Sequence, residues 1–227
     1  MSVVYKSRNS EGLVMHKLVM HKIALFLCIG VIPLAQAQTD LPPAYPRDGA
    51  SRMLENEHVI VWDISWLQQA YPLHRHRYDH AGVYYSSGDR VITSVAGEAR
   101  EVHTPAWNIS FQLAGVTHTE SGISAEPLRA VFVQIKRPLA GASELAASVP
   151  RFPTDAALDR LSNERVKVWE YSGTANLNSS EHYHNYDAVV VWFDADTQPN
   201  VHFIAQGTLH NSDIPTTAVR VFVFELL

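Results

Sequence analysis

The chain of 227 residues holds a single cysteine, Cys28, and that residue lies inside an N-terminal apolar run. Once that run is removed, no thiol or disulfide remains, which excludes thiol catalysis, a disulfide framework and cysteine-based zinc sites. Charge is sparse at 18% of residues, and positive charge is the scarcer sign. The first 37 residues hold four Lys/Arg and one acidic residue, leaving 14 basic against 22 acidic, a net of −8. Nucleic-acid binding needs a basic face, so none is expected and a small molecule is the expected partner. P-loop, dinucleotide-binding and nucleophile-elbow patterns are all missing. Long apolar runs are missing as well; Ile23 to Ala35 is too short to span a bilayer comfortably.

That short run has a different meaning. From Met20 the chain reads as a basic start, an apolar core and a small-residue site at Ala35-Gln36-Ala37, the pattern of a cleaved secretory signal peptide. Cleavage after Ala37 predicts a periplasmic or secreted protein beginning at Gln38, with no stable membrane insertion after processing. The Met-His-Lys triplet occurs at Met15 and again at Met20, which leaves the initiator open.

The remainder is rich in short β-type segments set off by turn signals, such as Val59–Asp63, Ala81–Tyr85 and Ala130–Ile135, which predicts an all-β sandwich or barrel. From Pro138 to Arg165 proline and alanine dominate, and Thr154-Asp-Ala-Ala-Leu-Asp-Arg-Leu161 predicts a capped helical stretch. On either side the sequence repeats. Val59-Ile-Val-Trp62 matches Val166-Lys-Val-Trp169, and His74-Arg-His76-Arg-Tyr78-Asp79 matches His182-Tyr-His184-Asn-Tyr186-Asp187. Gly115-Val-Thr-His118 matches Gly207-Thr-Leu-His210, and each is followed by an Arg-led apolar strand. His76 and His118 lie 42 positions apart, His184 and His210 only 26, so the second copy lacks about one hairpin. The expected organisation is a leader (1–37), a first barrel (53–137), a partly helical linker (138–165) and a shortened second barrel (166–227).

Residues two apart on a strand share a face. A His-x-His strand therefore sets two imidazoles side by side, and a third His from a distant strand can close a metal site. Neutral imidazole suits Fe, Zn, Ni and Cu, so a divalent transition metal is the expected cofactor (Mn joins the set). Strand parity keeps His80 with His74, His76 and His118, a set of four, while His182, His184 and His210 form a set of three. Glu120 shares a face with His118 and is a candidate base or ligand-orienting group; an exposed strand-end glutamate is the favoured reading. Gln112 has inward parity. His103 and His202 are read as ordinary strand histidines that correspond across the repeat, and Trp62, Trp107, Trp169 and Trp192 as core or pocket wall. His58 stands outside every motif. Asp79 and Asp187 reach a metal only if their strands bulge, and a structural Tyr-Asp pair shared by both copies is the favoured reading.

These motifs resemble those of the cupin superfamily in its two-barrel form, whose first motif runs G…H-x-H-x-x-x-E…G and whose second runs P-x-G-x-x-H. The resemblance covers roughly Glu55 to Leu227 and implies two tandem β-barrels with metal sites. His80 and Ala188 stand where the family has its glutamate, and Leu113 and Ala205 where it has its proline. It also implies pairing of barrels through edge strands, hence a homodimer. Without the carboxylate a bound dication keeps its full charge and favours an anionic ligand. The expected function is that of an exported metal-dependent enzyme of dioxygenase, isomerase or lyase type, acting on a small anionic or polyoxygenated molecule and working from the first barrel. A non-catalytic metal- or ligand-binding protein is the alternative, and the fold alone does not decide between them.

Overall fold

The computed structural model describes residues 40–227 apart from 138–140, 146–147, 154–155, 175–180 and 212–213. The leader and its cleavage site lie outside these residues. Every regular element described is a strand: β1 (Ala50–Glu55), β2 (Val59–Trp66), β3 (Ala70–Arg75), β4 (Asp79–Tyr84), β5 (Gly88–Ser94), β6 (Ala99–Thr104) and β7 (Ile109–Gln112) come first. β8 (Thr117–Gly122), β9 (Leu128–Ile135), β10 (Leu158–Ser162), β11 (Val166–Tyr171), β12 (Ala188–Phe193), β13 (Pro199–Ile204) and β14 (Arg220–Leu226) complete the chain. Two five-stranded sheets have the same order, β1-β2-β9-β4-β7 and β10-β11-β14-β12-β13, and a four-stranded sheet runs β3-β8-β5-β6. In the second half the four-stranded sheet has no counterpart among the described residues; an isolated bridge between His182 and His210 stands in the place of the β3–β8 pairing.

The central strands are apolar on both faces, and parity sorts their side chains into separate cores. Val59 and Val61 of β2, Val131 and Val133 of β9 and Ala81 and Val83 of β4 turn to one side. There they meet Val166, Val168, Val189, Val191, Phe222 and Phe224 of the other five-stranded sheet. The opposite parity of the first sheet (Trp62, Ile64, Trp66, Tyr84, Phe132) lines a second core, and that of the other sheet (Tyr171, Val190, Val221, Val223) a third. Asp40–Leu227 is accordingly one compact unit.

Reciprocal contacts between a basic residue and an aspartate cross the shared core's edge. Arg165 Nε lies 2.7 Å from Asp79 Oδ2, and His58 Nδ1 lies 3.4 Å from Asp187 Oδ2. Each aspartate also accepts a backbone N–H at 2.8 Å, Asp79 from Ala114 and Asp187 from Gln206. His58 and Arg165 are equivalent residues, each entering its strand from an Asn (Asn56, Asn163) whose Oδ1 accepts two backbone N–H groups. The aspartates of the two Tyr-Asp steps are thus structural, as the favoured reading has them, and His58 acquires a role its sequence context did not show.

The expected helix from Thr154 to Leu161 gives way to a strand where it is described. Leu158–Ser162 is β10, paired antiparallel with β11. Its register shift between Asp159 and Leu161 matches the one between Arg52 and Leu54 in β1. The bulge turns Leu161 onto the shared core, so sheet pairing and burial outweigh a weak helical preference.

Candidate metal centres

The first histidine cluster is built by the β3–β8 pairing, which sets His74 directly opposite His118. His76 follows the end of β3, and its backbone N–H donates to Val116 O. Ring centroids are 5.2 Å apart for His74–His76, 4.8 Å for His74–His118 and 5.1 Å for His76–His118. One donor nitrogen from each of the three lies within 4.8 Å of the others, and all three residues are buried. Nε2 of His76 and Nε2 of His118 are 3.3 Å apart. A tetrahedral ion with bonds of about 2.0–2.1 Å needs donors about 3.3–3.4 Å apart, so the spacing fits. His74 Nδ1 sits 2.9 Å from Pro72 O, which assigns it the proton and turns its Nε2, buried without a hydrogen-bond partner, toward the cluster. Burial, first of all, lowers the pKa of His76 and His118, so both rings stay neutral and keep a lone pair.

His80 is brought beside this cluster but not into it. It is buried, stacks on His76 at 4.9 Å and tilts against Phe132 at 4.8 Å, and its Nδ1 has no hydrogen-bond partner. Burial lowers its pKa to about 4. Strand parity placed it on the right face, but β4 belongs to a different sheet from β3 and β8, and the set whose donor atoms all lie within 4.8 Å of one another is His74, His76 and His118.

Glu120 is buried, not an exposed strand end. Trp66 Nε1 donates to its Oε2 at 2.9 Å, Arg90 Nη1 lies 3.4 Å from Oε1, and Arg47 Nη2 lies 3.5 Å from Oε2. Burial raises its pKa, but Arg90 and Arg47 outweigh that and hold it below the usual carboxylate range. Arg47 stacks 3.6 Å above the ring of Tyr71, and Arg90 4.7 Å above Trp66. Neither arginine was singled out from sequence. For Arg90 the available signal was parity, since β5 places Arg90 and Ile92 on one face, and both line the cavity beside the cluster. A cavity of about 80 Å³ opens beside His76 and His118, with Arg90, Glu120, His80 and Gln112 in its wall.

The second cluster repeats this plan. His182 and His210 exchange backbone hydrogen bonds of 3.0 and 2.9 Å, and one donor nitrogen from each of His182, His184 and His210 lies within 4.8 Å of the others. His184 Nδ1 is 3.4 Å from Glu225 Oε1, a carboxylate that orients the ring, and His210 Nε2 is buried with no hydrogen-bond partner. Glu225 also accepts from Trp169 Nε1 at 3.0 Å, as Gln134 does from Trp62 at 2.9 Å in the first half. An aromatic-proline step precedes each half. Tyr45 lies edge-on to His76 at 6.3 Å and Phe152 tilts against His184 at 4.3 Å, a repeat the motif comparison missed. His103 is exposed and paired with Asp89, on β6. His202 is on β13, whose counterpart is β7, so the expected correspondence of these two histidines does not hold; Ser110 occupies the position of His202.

Both second-motif glycines have left-handed backbones, φ +86° at Gly115 and +70° at Gly207. Each N–H reaches back to the second histidine of its pair, Gly115 to His76 O at 2.7 Å and Gly207 to His184 O at 2.8 Å. A Cβ at Gly115 meets no atom within 4 Å, so the requirement is conformational. Gly115→Ala is expected to cost about 1–2 kcal/mol in urea unfolding and to weaken metal binding at His76 and His118. An unchanged unfolding midpoint would show that the turn accommodates the methyl group without strain.

No family model matches the chain, and no curated protein matches it. Among solved structures, a cupin domain from Bordetella pertussis Tohama I is 22% identical, with 41% of this chain and 99% of that chain covered and a TM-score of 0.36. A cupin 2 conserved barrel domain protein from Leptotrichia buccalis is 12% identical, with 78% and 88% covered and a TM-score of 0.42. An RmlC-like cupin family protein with a double-stranded β-helix fold from Methanocaldococcus jannaschii is 18% identical, with 40% and 85% covered and a TM-score of 0.33. The chain's own strand order gives an all-β fold of two like-ordered five-stranded sheets and one four-stranded sheet, and these cupin structures are among those it is similar to.

Proposed function

We propose that the protein is an exported, two-barrel metal-binding cupin whose first histidine centre serves a metal-dependent enzyme acting on a small anionic molecule. The observation that carries this reading is the cluster of His74, His76 and His118, with donors spaced for one ion, opening on a small cavity walled by Arg90 and Glu120. A divalent transition metal, when bound, supplies Lewis acidity toward an oxygen ligand. The chain's own residues set what that ligand is. Arg47 and Arg90 outnumber Glu120, so the buried surroundings carry excess positive charge and favour an anion. The cavity of about 80 Å³ is smaller than the roughly 150 Å³ that holds benzene, which limits the anion to a few heavy atoms. Glu120, held ionised by two arginines and an indole, acts as a positioning residue for Arg90.

One observation favours a second reading, non-catalytic metal or ligand binding: the cavity's carboxylate is fully engaged, so no free general base stands in its wall. Oxygen uptake and product analysis with Fe(II)-loaded protein and short-chain oxo acids, hydroxy acids and diketones separate the two. Metal content tests what both readings share. H74A/H118A is expected to lose one equivalent of bound divalent metal per chain, and H182A/H210A the other. Unchanged content in both variants, with folding intact by circular dichroism, would overturn the metal reading.

A further inference from the structure

The two histidine clusters are equivalent in the repeated fold, yet the cavities beside them differ in chemistry. In the first half β4 and β7 pair His80 with Gln112. At the same register in the second half, β12 and β13 pair Ala188 with Ile204. Gly82 of the first half, covered by Phe132, becomes Val190, and Tyr84 becomes Trp192. Arg90 lies on β5, a strand with no counterpart among the described residues of the second half. His80 and Gln112 of the first cavity are thus replaced by hydrocarbon, while Ser110 becomes His202. What results is a cavity of about 200 Å³ that reaches His210 and is walled by Val190, Trp192, Phe203, Ile204 and Ile214. Its polar groups, His202, Thr208 and Asn211, are few.

The volume sets the ligand's body. An apolar cavity of about 150 Å³ takes up benzene, so this one admits a single ring, whereas the first cavity of about 80 Å³ does not. No carboxylate is among the three ligands, and Glu225, 3.4 Å behind His184, offsets only part of a dication's charge, which sets the head as an anionic oxygen donor. We infer that the second centre binds a monocarboxylate with a ring-sized apolar body: carboxylate at the ion held by His182, His184 and His210, ring against Trp192 and Ile204. The two halves then serve ligands of different class, small anions in the first and amphipathic acids in the second. This inference rests on the metal reading above.

The test uses probes with one headgroup and growing apolar bodies: formate, acetate, butyrate and benzoate. Each is titrated into Co(II)-loaded full-length mature protein, with cobalt visible absorption and tryptophan fluorescence as readouts. In H74A/H118A, where only the second centre remains, affinity is expected to rise at least tenfold from acetate to benzoate, with quenching that W192F abolishes. Ile204→Gln, which restores the first half's polarity, is expected to reverse that gain. In H182A/H210A benzoate is expected to leave the cobalt spectrum unchanged. If H74A/H118A holds cobalt but binds benzoate no tighter than acetate, the inference is overturned while the metal reading stands. If H74A/H118A holds no cobalt, the second centre's metal falls and the inference with it; cobalt in H182A/H210A then judges the first centre by itself.

Discussion

Glu120→Gln is expected to lower the unfolding free energy by about 3–5 kcal/mol, although it changes one oxygen to an amide. The carboxylate is 5% exposed and lies between two guanidinium groups, Arg90 at 3.4 Å and Arg47 at 3.5 Å. Glutamine still accepts from Trp66 Nε1, so the lost hydrogen bonding is small. The large cost is that two buried cations lose their counter-charge in a setting that water does not screen. Both have few ways out: Arg47 lies over Tyr71, and Arg90 over Trp66 with Nη2 donating to Tyr84 Oη at 2.8 Å. Equilibrium urea unfolding of the wild type, E120Q, R90M and E120Q/R90M measures this. The double variant is expected to lose less than the sum of the singles, because removing Arg90 relieves one of the two unpaired charges. An E120Q variant within about 0.5 kcal/mol of wild type would show that solvent reaches the cluster and that the pairing is of the weak surface kind.

Different parts of this arrangement were legible in the sequence to different degrees, for physical reasons. Period-two spacing is a local property, so His74 with His76 and His182 with His184 could be read directly, and the glycine with a left-handed backbone marked the turn before His118 and His210. Parity also gave the face of His80, Gln112 and Glu120. Parity does not give donor convergence, however: His80 touches His76 from a strand of another sheet, and the converging donors are those of His74, His76 and His118. Arg47 and Arg90 belong to no repeated motif; they are found only once β8, β5 and the segment before β1 converge on Glu120. The His58–Asp187 contact and the Arg165–Asp79 ion pair were hidden for the same reason, being contacts between halves. Leu158 and Leu161 fit a helical spacing equally well as a bulged strand, and only pairing with β11 decides it. The unbroken apolar runs, Val189-Val-Val-Trp-Phe193 above all, did carry a sign of burial on both faces.

That double burial has a large consequence for how the halves unfold. Phe222 is fully buried on β14, stacked on Trp107 of the first half at 6.2 Å and edge-on to Phe193 at 6.1 Å. Truncating such a ring to alanine removes its transfer free energy and leaves a cavity, a cost of about 3–5 kcal/mol. The cavity in Phe222→Ala opens in the core that Val59, Val61, Val131 and Val133 of the first half also line. The first sheet cannot keep that face covered if the second unfolds, since its strands β2, β9 and β4 would then expose a continuous valine-rich surface to water. The destabilisation is therefore expected to reach the histidine centre of the first half, though Phe222 lies on a strand of the other sheet. With Co(II) bound at the first centre of an H182A/H210A background, the cobalt spectrum and tryptophan fluorescence should be lost at the same urea concentration. In Phe222→Ala both midpoints should shift down together. If the tryptophan fluorescence, which Trp169 and Trp192 of the second half share with Trp62, Trp66 and Trp107, splits into two transitions of which only one moves while the cobalt midpoint stays, the halves fold independently and the shared core contributes little to the first half's stability. A coincident shift makes the valine and phenylalanine layer between the five-stranded sheets the structure on which the first metal centre depends.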